Sequence, residues 1–346
     1  MPSIFNLVTS DALTAYWETQ NQNRQPYLGA ELFPAQQKLG LDIKWIKGSM
    51  GLPVVLKPSA YNVEALKRDR IGFEKIAMSM PFFKESMYVD EELRQQLNMV
   101  LETGNQAYID SIMNRVFADE MSLLEGASAQ RERIRMMALT TGAVSISANG
   151  QAYDYDYGFP SEHKATVGVS WSNKAATIID DIRGWQDTVE DDTGVRPTRA
   201  ICSRKTWGYF TKNTEIRNGI HGNDAAAPVS DAKVRQYLLD ELELEVVVYT
   251  KKYMTEKGVQ TPYVADDLFV LFPKGNLGTG WFGTTPEQSD LLSGTSANVS
   301  ITDTGVAVTT TKETDPVNVE TKVSMIYLPS FEAADQVFIG DVNTES

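Results

Sequence analysis

The spacing of hydrophobic and polar residues changes along the chain, and each spacing predicts a different element. Between residues 105 and 140, apolar residues recur at steps of three and four without proline, which predicts one long helix ending at Gly142. Glu120 interrupts its apolar stripe, and the run Arg131-Glu-Arg-Ile-Arg135 predicts a charged continuation. Residues 317–327 alternate between apolar and polar side chains instead, which predicts a strand.

Residues 172–283 mix both periodicities. They predict helices at 175–191, 204–212 and 231–239, and strands at 199–202, 243–249, 253–254 and 268–272. Such a mixture requires a sheet with helices packed on it. Strands are also expected within residues 143–170, around an Asn-Gly turn, and residues 284–316 predict loops or a thin hairpin. The predicted fold class is therefore α+β.

Residues 1–42 predict an arm rather than a domain. A short helix carrying Leu13, Tyr16 and Trp17 is followed by a polar stretch that has no periodicity. Exposing the large apolar side chains of this region to water is costly. We therefore expect the arm to dock on its own body or on a neighbouring molecule, and we favour a neighbour.

Residues 43–90 predict a projecting hairpin. Two extended limbs, broken by glycine and proline, flank the charged turn Lys67-Arg-Asp-Arg70. A hairpin of this length is only marginally stable in isolation. We therefore expect it to lie across another surface, and a plain surface hairpin is the alternative.

Composition narrows the classes of function. The net charge of −14 argues against a protein that reads nucleic-acid sequence, because affinity for phosphate comes from a positive surface. An acidic wall can nevertheless enclose DNA without holding it. No apolar run is long enough to span a membrane, and the start lacks a secretory signal, so we expect folding in the cytoplasm. The single Cys202 excludes an internal disulfide, and His163 and His221 are interpreted as surface residues.

The candidate catalytic motifs fail on their context. Gly278-Thr-Gly-Trp-Phe-Gly283 matches a dinucleotide fingerprint, but no long helix follows to bind a pyrophosphate, so we interpret it as a turn in a β-region. The acidic groups around Asp180 and Asp191 have no partner histidine. Ser203 is interpreted as a helix N-cap. We therefore predict no catalytic, cofactor-binding or metal-binding residues, and no enzyme.

Four groups of residues carry a resemblance to a known family. They are Gly40-Leu-Asp-Ile-Lys-Trp-Ile-Lys-Gly48 with Gly51-Leu-Pro-Val54; Arg68-Asp-Arg70 with Met80-Pro-Phe-Phe-Lys-Glu-Ser-Met87; Gly168-Val-Ser-Trp171 with Asp181-Ile-Arg-Gly-Trp185, Gly194 and Trp207-x-x-Phe210-x-x-Asn213; and Tyr263-Val-Ala-Asp266 through Gly280-Trp-Phe-Gly-Thr-Thr-Pro286. By their order and spacing, the chain resembles the lambda-like phage major capsid protein family, also called major capsid protein E, over nearly its whole length.

The resemblance implies the Hong Kong 97-type capsid fold. It assigns residues 1–42 to the N-arm, 43–90 to the E-loop, and 91–171 to the P-domain with its long spine helix. Residues 172–316 become the A-domain, and residues 317–346 supply a strand that returns to the P-domain together with the C-terminus.

The resemblance also implies a function. The chain is expected to be the major capsid (head) protein of a tailed bacteriophage, whose hexamers and pentamers assemble in the host cytoplasm into an icosahedral shell around double-stranded DNA. Implied partners are other copies, a scaffold protein or domain, the portal, a decoration protein and non-specifically packaged DNA, with no membrane. The residues expected to contact neighbouring copies are Trp17, Tyr27, Leu28, Phe33, Trp45, Lys67, Arg68, Asp69, Arg70, Phe82 and Phe83.

Two other functions are compatible with parts of the sequence. An α/β enzyme centred on residues 172–283 requires titratable residues that converge on a pocket, and the sequence offers none. An encapsulin-type compartment shell shares the implied fold. The four groups of residues favour the phage family over both.

Overall fold

The helices of the computed structural model follow the apolar periodicity of the sequence. The structure describes residues 8–22, 24–47, 74–89, 91–103, 106–148, 150–222, 227–255, 257–291, 297–314 and 317–344. Its α-helices are α1 (Ser10–Asn21), α2 (Leu28–Leu32), α3 (Glu91–Thr103), α4 (Gln106–Thr141), α5 (Ile178–Thr193), α6 (Arg204–Lys212), α7 (Thr214–His221) and α8 (Asp231–Leu242). The long helix predicted at residues 105–140 is confirmed as α4, which ends at Gly142 with φ +74°.

The strands account for most of the remaining chain. They are β1 (Ala35–Gln37), β2 (Asp42–Lys47), β3 (Glu74–Ser79), β4 (Phe82–Tyr88), β5 (Ala143–Ala148), β6 (Gln151–Asp156), β7 (Lys164–Thr166), β8 (Arg199–Cys202), β9 (Glu245–Val248), β10 (Lys252–Met254), β11 (Gln260–Pro262), β12 (Leu268–Phe272), β13 (Thr279–Phe282), β14 (Ala297–Thr302), β15 (Val306–Thr314), β16 (Val317–Ser330) and β17 (Phe338–Asp341). Both helices and strands are abundant, as an α+β fold requires.

The chain divides into two compact units, each built from separated segments. Unit 1 comprises residues 1–43, 78–134 and 279–330, and unit 2 comprises residues 44–77, 135–278 and 331–346. These units do not coincide with the predicted domains, which remain predictions. Residues 135–171 of the predicted P-domain fall in unit 2, and residues 279–291 of the predicted A-domain fall in unit 1. Residues 297–314, which we assigned to the A-domain, belong to unit 1, and residues 331–346, which we assigned to the returning strand, belong to unit 2.

Strand pairing explains why residues 297–314 belong to unit 1 and why β17 belongs to unit 2. β15 pairs with β16 over nine residue pairs, from Val306 opposite Met325 to Thr314 opposite Val317, and β14 pairs with β15. The segment before residue 317 is therefore tied to the sheet of β16. β17 pairs with β12 and β7 instead, which places the last strand in the sheet of unit 2.

The sheet of unit 1 is organised around β16. Its order is β1-β13-β16-β15-β14, and β4 also pairs with β16. The predicted strand at residues 317–327 is confirmed and continues to Ser330. Gly280 and Gly283 of the apparent dinucleotide motif lie at and beside β13, where a Cβ would meet Tyr327 at 2.7 Å and Ile326 at 2.7 Å respectively. These glycines therefore permit close strand packing, and the interpretation of the motif as part of a β-region is confirmed.

A partly buried ion pair between Arg131 and Asp303 anchors α1 and the β14–β15 turn of unit 1. Asp303 accepts hydrogen bonds from the Arg131 guanidinium at 2.7 Å and from the Trp17 indole at 3.3 Å. Asp303 adopts φ +46°, so the turn presents its carboxylate to both donors. Arg131 is 8% exposed, so the predicted charged continuation of the helix is buried at this residue. The reason is that its partner comes from a segment far away in the sequence.

Unit 2 contains a five-stranded mixed sheet of order β7-β17-β12-β8-β9. Its core contains a group of aromatic rings packed against one another. Trp185 lies 5.6 Å from Trp171 and 5.2 Å from Phe338 between ring centroids, and Trp171 lies 5.3 Å from both Phe210 and Phe269. The third group of residues behind the family resemblance therefore forms the core of this unit.

We expect Gly340→Ala to destabilise unit 2 by about 1–3 kcal/mol, because overpacking forces a rigid neighbour to move. A Cβ at Gly340 would lie 2.4 Å from the Trp185 ring. Gly184→Ala is the matched control: it lies next to Trp185 in α5, nothing stands within 4 Å of its Cβ position, and alanine stabilises a helix interior by about 0.5–1 kcal/mol. Urea unfolding measures both, and equal stability of the two variants contradicts the prediction.

We expect Asp303→Ala to lower the free energy of unfolding by about 2–4 kcal/mol, because it leaves the buried Arg131 guanidinium without its counter-ion. Asp303→Asn is the control for turn geometry, since asparagine also tolerates positive φ and still accepts from Trp17. Asp303→Asn should therefore lower the free energy of unfolding by less than Asp303→Ala does. Thermal unfolding distinguishes the variants, and an alanine variant as stable as the parent rejects this role of the ion pair.

Candidate assembly surface

Three of the aromatic residues expected to contact a neighbouring copy are covered by their own chain. Trp17, Phe33 and Trp45 are 1%, 0% and 6% exposed. Trp17 donates to Asp303, and Trp45 lies 5.9 Å from the Tyr157 ring. The argument that their apolar surface requires a neighbouring molecule is therefore wrong, because α1 and the following residues already dock on the same chain.

The other expected contact residues are placed differently. Tyr27, Leu28, Phe82 and Phe83 are half-buried, so each keeps part of its side chain accessible. The charged turn at residues 67–70 lies outside the described residues, as does the tip of the predicted hairpin. Its two limbs begin and end as β2 and β3, which pair with each other.

β4 exposes one edge of its backbone. The Val89 N–H donates to the Val319 carbonyl at 3.1 Å, and the Tyr327 N–H donates to the Pro81 carbonyl at 3.3 Å. Hydrogen-bonded pairs alternate along an antiparallel ladder. The odd-numbered residues 81–89 therefore bond to β16, and the backbone groups of Phe82, Lys84, Ser86 and Tyr88 point away from it. Within the described residues, no second strand pairs with β4.

The side chains of β4 are as accessible as its edge. All five residues from Lys84 to Tyr88 are exposed, including Met87 at 36% and Tyr88 at 55%. Strands of folded proteins usually bury at least one face. Glu320 and, less strongly, Glu313 raise the pKa of the Tyr88 hydroxyl by repulsion, so the tyrosine stays neutral beside an acidic surface. We name residues 82–88, with this free edge, the β4 edge.

The groups that could suggest an enzyme are structural. Ser203 accepts from the Thr206 N–H as the N-cap of α6, as predicted, and donates to Asp266 at 2.6 Å. Burial raises the pKa of the Cys202 thiol to about 12, which keeps it protonated at neutral pH. No group of three metal-ligating side chains occurs in the part of the chain that the structure describes.

His163 corrects two predictions, because it is buried and because it is a partner histidine for the acidic group around Asp191, which was expected to have none. It is 1% exposed rather than a surface residue, and its Nε2 lies 3.4 Å from an Asp192 oxygen. Burial lowers the pKa of its imidazole, with Asp192 opposing the shift, so the ring is neutral at pH 7. A neutral imidazole packed in the interior near Phe338 serves the core.

None of the described helices is long and apolar enough to cross a membrane.

Comparisons with known proteins give a consistent result. A family model for phage major capsid protein E matches residues 9–342. A protein described as a prophage capsid protein of E. coli CFT073 has a similar structure, with TM-score 0.62 and 15% identity over 97% of this chain and 99% of that chain. A phage-related protein of Bordetella bronchiseptica RB50 follows, with TM-score 0.55 and 13% identity over 97% of both chains.

The capsid asymmetric unit of cyanophage A-1(L) is similar as well, with TM-score 0.52 and 12% identity over 92% of this chain and 93% of that chain. No curated protein matches the sequence significantly. At these identities the likeness concerns the fold, which is that of the Hong Kong 97-type phage capsid proteins.

Proposed function

The chain belongs to the phage major capsid protein E family, and from this premise we propose that its copies assemble through hexamers and pentamers into an icosahedral shell that encloses double-stranded DNA. As a member of that family it is a structural protein of the phage head, located in the virion, and not an enzyme. We further propose that assembly takes place in the bacterial host cytoplasm, with a scaffold protein or domain, the portal and a decoration protein as partners.

The observation that carries the proposed mode of assembly is the β4 edge. A strand with free N–H and C=O groups can be extended by a strand of another molecule, whose backbone supplies the missing hydrogen bonds. A shell subunit is surrounded by copies of itself, so the strand that fits best is an extended segment of a neighbouring copy. The half-buried Phe82 and Phe83, together with the exposed Met87 and Tyr88, supply apolar surface for the same contact.

The remaining expected contacts complete this proposal. Tyr27 and Leu28 offer a second accessible apolar area, and Lys67, Arg68, Asp69 and Arg70 are kept as polar contacts of the E-loop. Trp17, Phe33 and Trp45 are removed from the set because their own chain buries them. With a net charge of −14, the inner wall is expected to contain DNA without binding it tightly.

We expect Ser86→Pro to prevent shell formation while leaving the subunit folded. The Ser86 N–H points away from β16, so proline removes a hydrogen bond only from the free edge. Ser86→Ala is the matched control, because it shortens the side chain but keeps the N–H. Glu85→Pro, on the bonded side of β4, should instead lower the melting temperature by disrupting the ladder with β16.

Negative-stain microscopy and sedimentation of each full-length variant expressed alone measure the outcome. The parent and Ser86→Ala should form shells, tubes or ring-shaped capsomers, and Ser86→Pro should remain as folded subunits. If Ser86→Pro assembles like the parent, the β4 edge is not an assembly contact, although a capsid function stands. If the parent stays a compact monomer at high concentration, self-assembly without partners is rejected.

A further inference from the structure

Glu120 occupies an unusual position for a carboxylate. It lies in the middle of α4, is 5% exposed, and neither of its carboxylate oxygens has a hydrogen-bond partner of normal geometry within the described residues. Buried charged groups in folded proteins are normally paired or hydrogen-bonded, since an unpaired charge is strongly destabilising in the interior. Glu120 therefore requires an explanation beyond the apolar stripe that it interrupts.

The sheet of unit 1 offers Glu120 only weak polar contact. Thr321 of β16 is close enough to lower the pKa of the carboxyl, but it does not complete a hydrogen bond of normal geometry, and its own buried hydroxyl is also unpartnered. Thr310 and Met87 pair with Thr321 in the sheet, so they share its face. The carboxyl thus faces hydroxyl and apolar groups rather than a cation.

Charged residues on the surrounding elements do not compensate. Asp119 raises the pKa of Glu120 further by repulsion. The Asp11 carboxylate of α1 accepts a hydrogen bond from Ser300. The other charged groups on these elements are exposed or only half-buried, and no ion pair joins any of them to Glu120 in the described part of the chain: Glu18 on α1, Lys84 and Glu85 on β4, Lys312 and Glu313 on β15, and Glu320 and Lys322 on β16.

Two other buried carboxylates of unit 1 show how the chain normally treats such groups. Glu132, on the same helix, accepts the Gly29 N–H at 3.2 Å. Glu287 binds Lys322 at 2.8 Å and the Ser324 hydroxyl at 2.9 Å. These partners hold the pKa of Glu287 below its ordinary value, although burial by itself would raise that pKa. For Glu120, burial outweighs the one contact that lowers the pKa, with Thr321, and raises the pKa from 4.5 to about 7.

We propose that Glu120 is a proton-controlled lock between α4 and the sheet of unit 1: the neutral acid packs against Thr321, and the ionised carboxylate pulls the middle of the helix away from the sheet. The driving force is hydration, because an ionised carboxylate gains far more from water than from two threonines and a methionine. The lock is closed in acid and opens as the pH rises through neutrality.

The sign follows from linkage. When the pKa of a carboxyl is higher in the packed state than in the unfolded chain, protonation stabilises the packed state. For Glu120 this stabilisation is fully present below the unfolded pKa of 4.5, and it is lost as the pH rises through the packed-state pKa of about 7. With these two values, the opening equilibrium of the contact should increase roughly tenfold between pH 6 and pH 8. Below pH 4.5 the contribution of Glu120 is constant.

Amide hydrogen exchange of the full-length protein at pH 6 and pH 8, corrected for the intrinsic effect of pH, tests the proposal. In the parent, amides around Glu120 in α4 should open about tenfold more often at pH 8. In Glu120→Gln, which is neutral at both values, opening should be the same at pH 6 and pH 8 and less frequent than in the parent at either pH. Asp119→Asn is the matched control on the neighbouring exposed position: it removes only the weakest of the effects that raise the Glu120 pKa, so the pH dependence should persist with its midpoint shifted slightly to lower pH.

Either of two results would overturn the lock. One is a parent whose protection around Glu120 changes less than twofold between pH 6 and pH 8. The other is Glu120→Gln that keeps the tenfold change. If Glu120→Gln does not fold, Glu120→Met, which is also neutral and of similar size, takes its place, and the parent measurement alone still decides.

Discussion

The pairing of β16 is the constraint on which unit 1 depends. β15 pairs with residues 317–325 and β4 with residues 320–326, so these two strands must occupy opposite edges of β16, and β13 continues the ladder at residues 327–330. β4, β13 and β15 are thereby joined through one strand, although β4 comes from a much earlier part of the chain. From Val323 onward every residue of β16 is buried, so neither of its faces is left for solvent. Among the strands that the structure describes, none pairs with the far edge of β4.

Local patterns in the sequence predicted local structure well. The strand at residues 199–202, the helix at 204–212 and the strand at 268–272 match the structure residue for residue. The long helix shifts by one residue at each end. These elements are set by side-chain periodicity and by caps such as Ser203, which act within a few residues of each other. The family resemblance added the fold, which periodicity alone does not specify.

Long-range partners were not predictable in the same way. The run beginning at Arg131 has the composition of a solvated helix face, yet Arg131, Glu132 and Arg135 are all buried. Asp303, which pairs with Arg131, is 172 residues away, and the Gly29 N–H that Glu132 accepts is 103 residues away. The aromatic residues of the arm illustrate the same limit. The need to cover Trp17 follows from its chemistry, whereas the identity of the covering group depends on the fold.

The assembly surface depends on a property that no residue type encodes. The sequence predicts an extended limb at residues 82–88, but whether one edge of that strand is free depends on which other strands pair with it in the sheet.

A free edge is a liability for an isolated subunit, because it can pair with any extended chain. Lys84, exposed on that edge, limits such pairing, since an indiscriminate partner would have to accommodate its charge. In the shell that we propose, the same edge serves assembly, because backbone hydrogen bonds fix direction and register, while the neighbouring Met87 and Tyr88 contribute apolar area. Because each contact is repeated with the symmetry of the shell, a modest contact at every copy is sufficient to hold the particle.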